Sequence, residues 1–209
     1  MLKQNPVGDD VRTNIVNAAL QLFGQRGYHA TSIQEIIGEA GCSKGAFYHY
    51  FESKEDLVLL FHDTFIDHLV DYAERIHVES GQPLEKLQRI CTHLLESMST
   101  FRNHMAVFNH ESRFLTQKKF AIVKAKRDRY ETAVRSLVQE AIDRGELRPD
   151  LDPKFFTFAL LGIFNWSFRW FRPGKPITPQ EMGPMLFAML IEGGRNPGAS
   201  DKQIRPIAE

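Results

Sequence analysis

The chain has 209 residues, 43% hydrophobic and 25% charged, which supplies one or two packed domains and excludes a disordered composition. Its 26 Lys and Arg match 26 Asp and Glu, so no overall basic field points to nucleic acid, and two cysteines exclude a disulfide framework or metal cluster. MLKQNPVGDD lacks the apolar core of a secretory signal, and the most apolar run, 155–171, is interrupted by Asn165 and Arg169 and falls short of a membrane span. A cytoplasmic chain without a membrane partner is expected.

From Val11, apolar residues at Ile15, Ala18, Ala19, Leu22 and Phe23 recur on one helix face until Gly27 stops it. Thr31 opens TSIQ, which reads as a capping box with Gln34, ahead of Ile33, Ile36, Ile37 and Ala40 on one face of a short helix ending at Gly41. A ring-rich segment follows, and Ser53 starts a further box, SKED, with Asp56 in the third helical position. Longer helices come next. They are broken by Gly81-Gln82-Pro83, a polar join near Thr116, Gly145, Asp152-Pro153 and the turn from Pro173 to Pro176, and Thr178, Pro179 and Glu181 start the last one. There is no internal repeat. The expected architecture is all-α: a three-helix helix-turn-helix head over 1–55, a larger helical body over 56–193, and a loose tail over 194–209.

The segment after Gly41, GCSKGAFYHYFESKEDL, places five ring residues in succession. Phe47 and Phe51 are four apart and point together into a small core with Cys42 nearby. Lys44 and Tyr48 share another face, and with Ser43, Gly45 and His49 they form a polar outer surface whose small leading side chains let backbone approach a partner closely. Such a helix suits a major groove, with Tyr48 and His49 offering a hydroxyl and an imidazole to phosphates or base edges. Lys54, beside the next helix N-terminus, is placed to share a phosphate. The same spacing also fits rings that merely fill a small bundle, and both readings stand at this point.

The block from Ile15 through Ala18, Leu22, Phe23, Gly27, Tyr28 and Thr31, then Ile33, Ile36 to Ala40, and Gly41 to Leu57 resembles the DNA-binding domain of the TetR family of bacterial transcriptional repressors. The resemblance covers about a quarter of the chain. It departs at Cys42, where the family usually has valine, and at Ala46, where it often has threonine. It implies a DNA-contacting set of Thr31, Ser43, Lys44, Gly45, Ala46, Tyr48, His49, Tyr50 and Lys54, with Tyr48 and Lys54 at positions that commonly touch phosphate. Residues 1–54 carry five positive (Lys3, Arg12, Arg26, Lys44, Lys54) and five negative side chains (Asp9, Asp10, Glu35, Glu39, Glu52). Binding to double-stranded operator DNA would then rest on locally placed donors and helix ends, used twice in a homodimer.

The resemblance also implies a body whose last two long helices pair with their copies and whose interior takes a small-molecule effector. Residues 155–171 are apolar nearly all round, and Leu186, Phe187, Leu190 and Ile191 give the final helix an apolar face; a monomer would leave both exposed. Within the penultimate helix, Asn165 and Arg169 are four apart, as are Trp166 and Trp170. An arginine drawn out of water there needs an anion, such as a phosphate, or an acidic residue at a dimer seam, and the indoles serve equally as stacking surfaces or as core. NW followed by RWFRPG resembles TetR regulators of fatty-acid, sterol-ring and aromatic-acid catabolism whose effectors are acyl-coenzyme A thioesters. That implies a coenzyme A site at Asn165, Trp166, Arg169 and Trp170, with Phe101, Met105, Phe108, Phe114 and Tyr130 lining an acyl pocket.

Other classes fit less well. Glu74 and His77 form a single E-x-x-H, the spacing of a di-iron bundle, but there is no second copy, no HExxH, no Gly-rich phosphate loop and no nucleophile elbow. No catalytic residue, metal or cofactor is therefore expected. The run 155–171 lacks the basic face of a membrane-surface helix. A TetR-type repressor sensing a drug or dye is the main alternative.

Overall fold

The computed structural model describes residues 6–172, 174 and 176–192, with side chains from residue 10 onward. Among them are nine α-helices and no strand: α1 (Pro6–Arg26), α2 (Ile33–Ala40), α3 (Lys44–Tyr50), α4 (Lys54–Val78), α5 (Pro83–Thr100), α6 (Arg102–Glu111), α7 (Gln117–Asp143), α8 (Pro153–Trp170) and α9 (Pro179–Glu192), with a 3₁₀ turn at Ser112–Phe114. The expected loose tail lies outside the described residues, as do Pro173 and Lys175 of the expected turn.

Local chemistry explains most helix ends. α1 stops at Gly27, and Gly41 closes α2, each at positive φ (82° and 62°) where a Cβ would be strained. The start of α2 differs from the sequence expectation by one residue. Ser32, not Thr31, is the cap: its hydroxyl accepts from Glu35 N (3.1 Å), and the Glu35 carboxylate accepts from Ser32 N (2.7 Å). Thr31 is buried, and its hydroxyl is turned to the Gly27 carbonyl (2.9 Å) instead of the first turn of α2. At α4, Asp56 accepts from Ser53 N (2.8 Å), as the SKED pattern predicts. Asp152 likewise accepts from Lys154 N and Phe155 N ahead of Pro153. One break had no sequence signal: α5 and α6 part at Phe101, whose φ and ψ of −99° and 24° bend the chain without Gly or Pro.

Two apolar cores form. Ile15, Leu22, Phe23, Ile36, Phe47 and Phe51 pack α1 to α3 together, and that core runs on through Leu57, Val58 and Phe61 of α4 to Val107, Phe108 and Val123 of the body. The second core joins α4, α5, α7, α8 and α9 around Leu69, Ile90, Leu94, Leu137, Leu160 and Phe164. α4 belongs to both, so the boundary expected near residue 55 falls in the first turn of a helix that runs on into the body.

Polar clasps reinforce this join. Glu111, buried at the end of α6, accepts from Tyr28 N (3.2 Å), and Lys119 of α7 pairs with Asp56 (2.7 Å) and Glu55 (3.2 Å). Phe114 stacks on Tyr28 at 5.7 Å. In the body, the Asp63 carboxyl is pushed up by burial, but hydrogen bonds from His62 and Lys126 outweigh this and hold it below its usual range.

Two histidines shape the pH response. Burial, helped by nearby His68, lowers the pKa of His93, whose ring stacks on Tyr72 at 3.7 Å; burial alone lowers that of His104, packed edge-on against Phe61 and Phe101. Both are neutral in the fold at pH values where the unfolded chain already binds a proton. The stability they contribute is present above the unfolded value of about 6.5 and is lost as pH falls through the lower folded values. Thermal midpoints should hold between pH 8 and 7 and decline from about pH 6.5 downward. His93→Gln with His104→Gln should flatten that decline; an unchanged slope in the double variant would discard this assignment.

Candidate functional site

The outer face of α3 is built from its N-terminus upward. Ser43 caps the helix by accepting from Ala46 N (3.0 Å), which aligns the first turn with its free N–H groups outward. Phe47 is fully buried and Phe51 nearly so, and this anchors one face to the head core. Lys44, Gly45, Tyr48 and His49 are exposed together, and the Lys44 ammonium lies 6.0 Å over the Tyr48 ring. A Cβ on Gly45 would meet only its own cap, Ser43 Oγ, at 3.8 Å, so this side is open to a partner. Ala46 and Tyr50 are half-buried flanks of the same surface.

Two residues of the expected set face elsewhere. Thr31 is enclosed, as described above, and cannot reach a partner. Lys54 donates to the carbonyls of Tyr28 (2.8 Å) and Thr31 (2.6 Å) and lies 4.3 Å over the Tyr28 ring. Two of its three N–H groups thus staple the start of α4 to the turn before α2, and desolvation lowers its pKa. Spacing placed Lys54 at a helix N-terminus, but the carbonyls waiting there belong to a turn 23 to 26 residues earlier.

The second site is a cavity of about 680 Å³ between α4, α6, α7 and α8. Phe65, Ile66 and Leu69 of α4, Leu94 of α5, and Met105 form its apolar lining, with Phe158, Leu161 and Gly162 of α8 on the opposite side. Asn109, Arg127, Asp128, Glu131, Asn165, Trp166 and Arg169 add polar groups and one indole. Asn165 and Arg169 thus meet on one edge with Trp166, the Arg169 guanidinium 5.9 Å from the Trp166 ring, and all three are solvent-exposed. Neither indole is core: Trp166 and Trp170 are 64% and 51% exposed, and Trp170 lies outside the cavity lining.

The rings and the thioether expected to line an acyl pocket separate. Met105 and Tyr130 line the cavity, and the Tyr130 hydroxyl is buried without a hydrogen-bond partner among the described residues. Phe108 instead lines a small chamber of about 50 Å³ that shares Phe65, Ile66, Met105, Asn109 and Arg127 with the main cavity. Phe101 packs against Phe65, His68 and His104, and Phe114 against Tyr28 and His29, where each closes a contact between elements. The inward faces of α6 and α7 supply the lining, and the bend at Phe101 turns α6 so that Met105 and Asn109 face inward.

The E-x-x-H pair does not converge on a metal. Glu74 is engaged bidentately by Arg129 (2.7 and 2.8 Å), and among the described residues no group of three His, Cys, Asp or Glu is placed to hold an ion. Both cysteines are free, and burial raises their pKa values, which keeps the thiols protonated. Among the described residues no helix is long and apolar enough to cross a membrane.

Comparison with known proteins agrees with this arrangement. A model for bacterial regulatory proteins of the tetR family matches residues 15–60, and one for a tetracyclin repressor-like C-terminal domain matches 80–193. The HTH-type transcriptional repressor KstR2 of Mycobacterium tuberculosis (strain ATCC 25618 / H37Rv) is 28% identical over 184 residues, 87% of this chain and 92% of that one. The structure of the TetR regulator PfmR from Thermus thermophilus superposes with a TM-score of 0.79 at 27% identity over 87% of this chain and 99% of that one. AibR, solved in complex with isovaleryl coenzyme A and operator DNA, superposes with a TM-score of 0.72 at 25% identity, over 87% and 98%. With a helix-turn-helix head and a cavity-bearing helical body each matched by its own family model, the chain belongs to the TetR family of DNA-binding bacterial transcriptional regulators.

Proposed function

We propose that this regulator is a homodimeric repressor released from its operator by an acyl-coenzyme A thioester. The observation that carries the reading is the composition of the cavity: an apolar wall from α4, Leu94 and Met105, polar groups from α6 and α7 at Asn109, Arg127, Asp128 and Glu131, and Asn165, Trp166 and Arg169 on one edge of α8. An acyl chain fits the interior, while the nucleotide end, anionic and flat, meets a guanidinium and an indole at the edge. AibR, of similar fold, is described with isovaleryl coenzyme A and operator DNA, which supports the same pairing here.

On the DNA side, Ser43, Lys44, Gly45, Ala46, Tyr48 and His49 form the groove-facing surface, with Tyr50 at its flank. Phe155, Ile163 and Trp170 of α8 and Met185 and Met189 of α9 are exposed apolar side chains, and a second copy is the natural cover for them. The face expected from Leu186, Phe187, Leu190 and Ile191 turns inward instead, against the body core. Head and cavity share two helices. α4 begins at the head and lines the cavity with Phe65, Ile66 and Leu69, and α6 lines it with Met105 and Asn109 before Glu111 clasps Tyr28. An effector that favours one placement of these helices thereby favours one spacing of the heads. A tenfold loss of DNA affinity requires only about 1.4 kcal/mol of differential binding.

The test is fluorescence anisotropy on the chain's own upstream DNA, titrated with short-chain, long-chain and aromatic acyl thioesters, and with free coenzyme A and free acids as controls. One thioester class should release the DNA at concentrations where the controls do not. Release by cationic dyes with no response to any thioester would instead favour the drug-sensing alternative.

A further inference from the structure

Tyr130 stands on the inward stripe of α7 with Val134 and Leu137, and it belongs to the same core as Ile66 and Leu69 of α4 and Cys91 and Leu94 of α5. It is only 6% exposed, yet it lines the cavity. The hydroxyl at its tip is buried without a hydrogen-bond partner among the described residues. Burial, with a smaller contribution from Cys91, raises its pKa and keeps it a neutral phenol with a proton to donate.

Other buried hydroxyls have an outlet. Thr157 and Ser167 turn back to carbonyls of their own helix, at Pro153 (2.7 Å) and Phe164 (2.6 Å). A phenol cannot do the same, because its ring carries the hydroxyl away from its own backbone. Ser97 Oγ is also unpartnered, but Ser97 is no part of the cavity lining, whereas Tyr130 is. Phenylalanine would fill the same space and leave no polar group unpaired. The hydroxyl of Tyr130 is therefore accounted for when a molecule in the cavity brings an acceptor to it.

We propose that the Tyr130 hydroxyl donates a hydrogen bond to the thioester carbonyl of the effector, and so selects acyl thioesters over other amphiphiles of equal length. The inference rests on the coenzyme A reading above and deepens it. On the acyl side of the sulfur, that carbonyl is the one acceptor a simple acyl chain has, and it enters the apolar part of the cavity with the chain. The amides and phosphates of coenzyme A lie on the other side of the sulfur, toward the edge at Asn165 and Arg169.

The test is a double cycle by calorimetric titration. Octanoyl-coenzyme A and its thioether S-octyl-coenzyme A, in which a methylene replaces the carbonyl, are each titrated into the wild-type chain and into Tyr130→Phe. The wild type should bind the thioester about tenfold more tightly than the thioether, and Tyr130→Phe should bind the two within about twofold of each other. Because the hydroxyl has no partner to lose in the free protein, Tyr130→Phe should leave the thermal midpoint unchanged or raised. A fall of more than about 4 °C overturns the proposal, since an internal partner or a buried water would then already hold the hydroxyl. Equal loss of thioester and thioether binding in Tyr130→Phe also overturns it and would place the hydroxyl on an amide of coenzyme A. So does unchanged binding of both. Failure of the wild type to bind either ligand discards the coenzyme A reading itself, and this inference with it.

Discussion

Replacing Phe47 with alanine should abolish operator binding while leaving the body folded. Phe47 is fully buried where α1, α2 and α3 meet, with Phe51 5.9 Å away and Tyr48 edge-on at 5.4 Å. Removing a ring from such a site costs about 3–5 kcal/mol, a large fraction of what a three-helix head of this size can hold. α3 would lose the contact that orients its outer face, so the donors at Lys44, Tyr48 and His49 would no longer be presented together. Tyr48→Ala is the informative partner. Its side chain is 47% exposed, so stability should change by no more than about 0.5 kcal/mol while DNA affinity falls. Anisotropy on the upstream DNA beside thermal melts reads both. Wild-type DNA affinity in Phe47→Ala would show that α3 is held by something other than this core.

Gly183→Ala should lower the thermal midpoint by about 2–12 °C. α9 crosses α5 at this glycine, and an added Cβ would lie 2.9 Å from Thr92 Cβ and 3.0 Å from Thr92 Cα, and would also crowd its hydroxyl. The neighbour cannot swing aside, because Thr92 Cα is backbone and Thr92 Oγ1 is bonded to the Gln88 carbonyl (2.9 Å). The helices must part, and α9 carries Met185 and Met189 on the face proposed for pairing, so dimer formation should weaken as well. Gly24→Ala is the matched control: a Cβ there meets nothing within 4 Å, and the residue lies within α1. That change should stabilise by about 0.5–1 kcal/mol. A midpoint for Gly183→Ala equal to the wild type would show that α5 and α9 are not held at this distance in solution.

What the sequence alone determined was carried by interactions of short range. The helix starts at Ser53 and Asp152 and the stops at Gly27 and Gly41 depend on groups within four residues of each other, so spacing reveals them. The split of the ring cluster into inward Phe47 and Phe51 and outward Tyr48 and His49 follows from helical periodicity in the same way. The cap of α2 is Ser32, and spacing alone does not separate it from Thr31 because both are capping residues. A contact nine residues back, from Thr31 to the Leu22 carbonyl, removes one of them from contention.

Only the tertiary structure decided where the polar groups go. Lys54 looked like a phosphate ligand until carbonyls from Tyr28 and Thr31 were brought to it, and Phe101 and Phe114 looked like pocket until packing made them joints. Asp128 and Glu131 of the cavity lining likewise turn to Lys124 and Arg135 of their own helix. Periodicity assigns a face to each side chain, but the partner waiting there comes from residues distant in sequence, and only the packed helices bring them together.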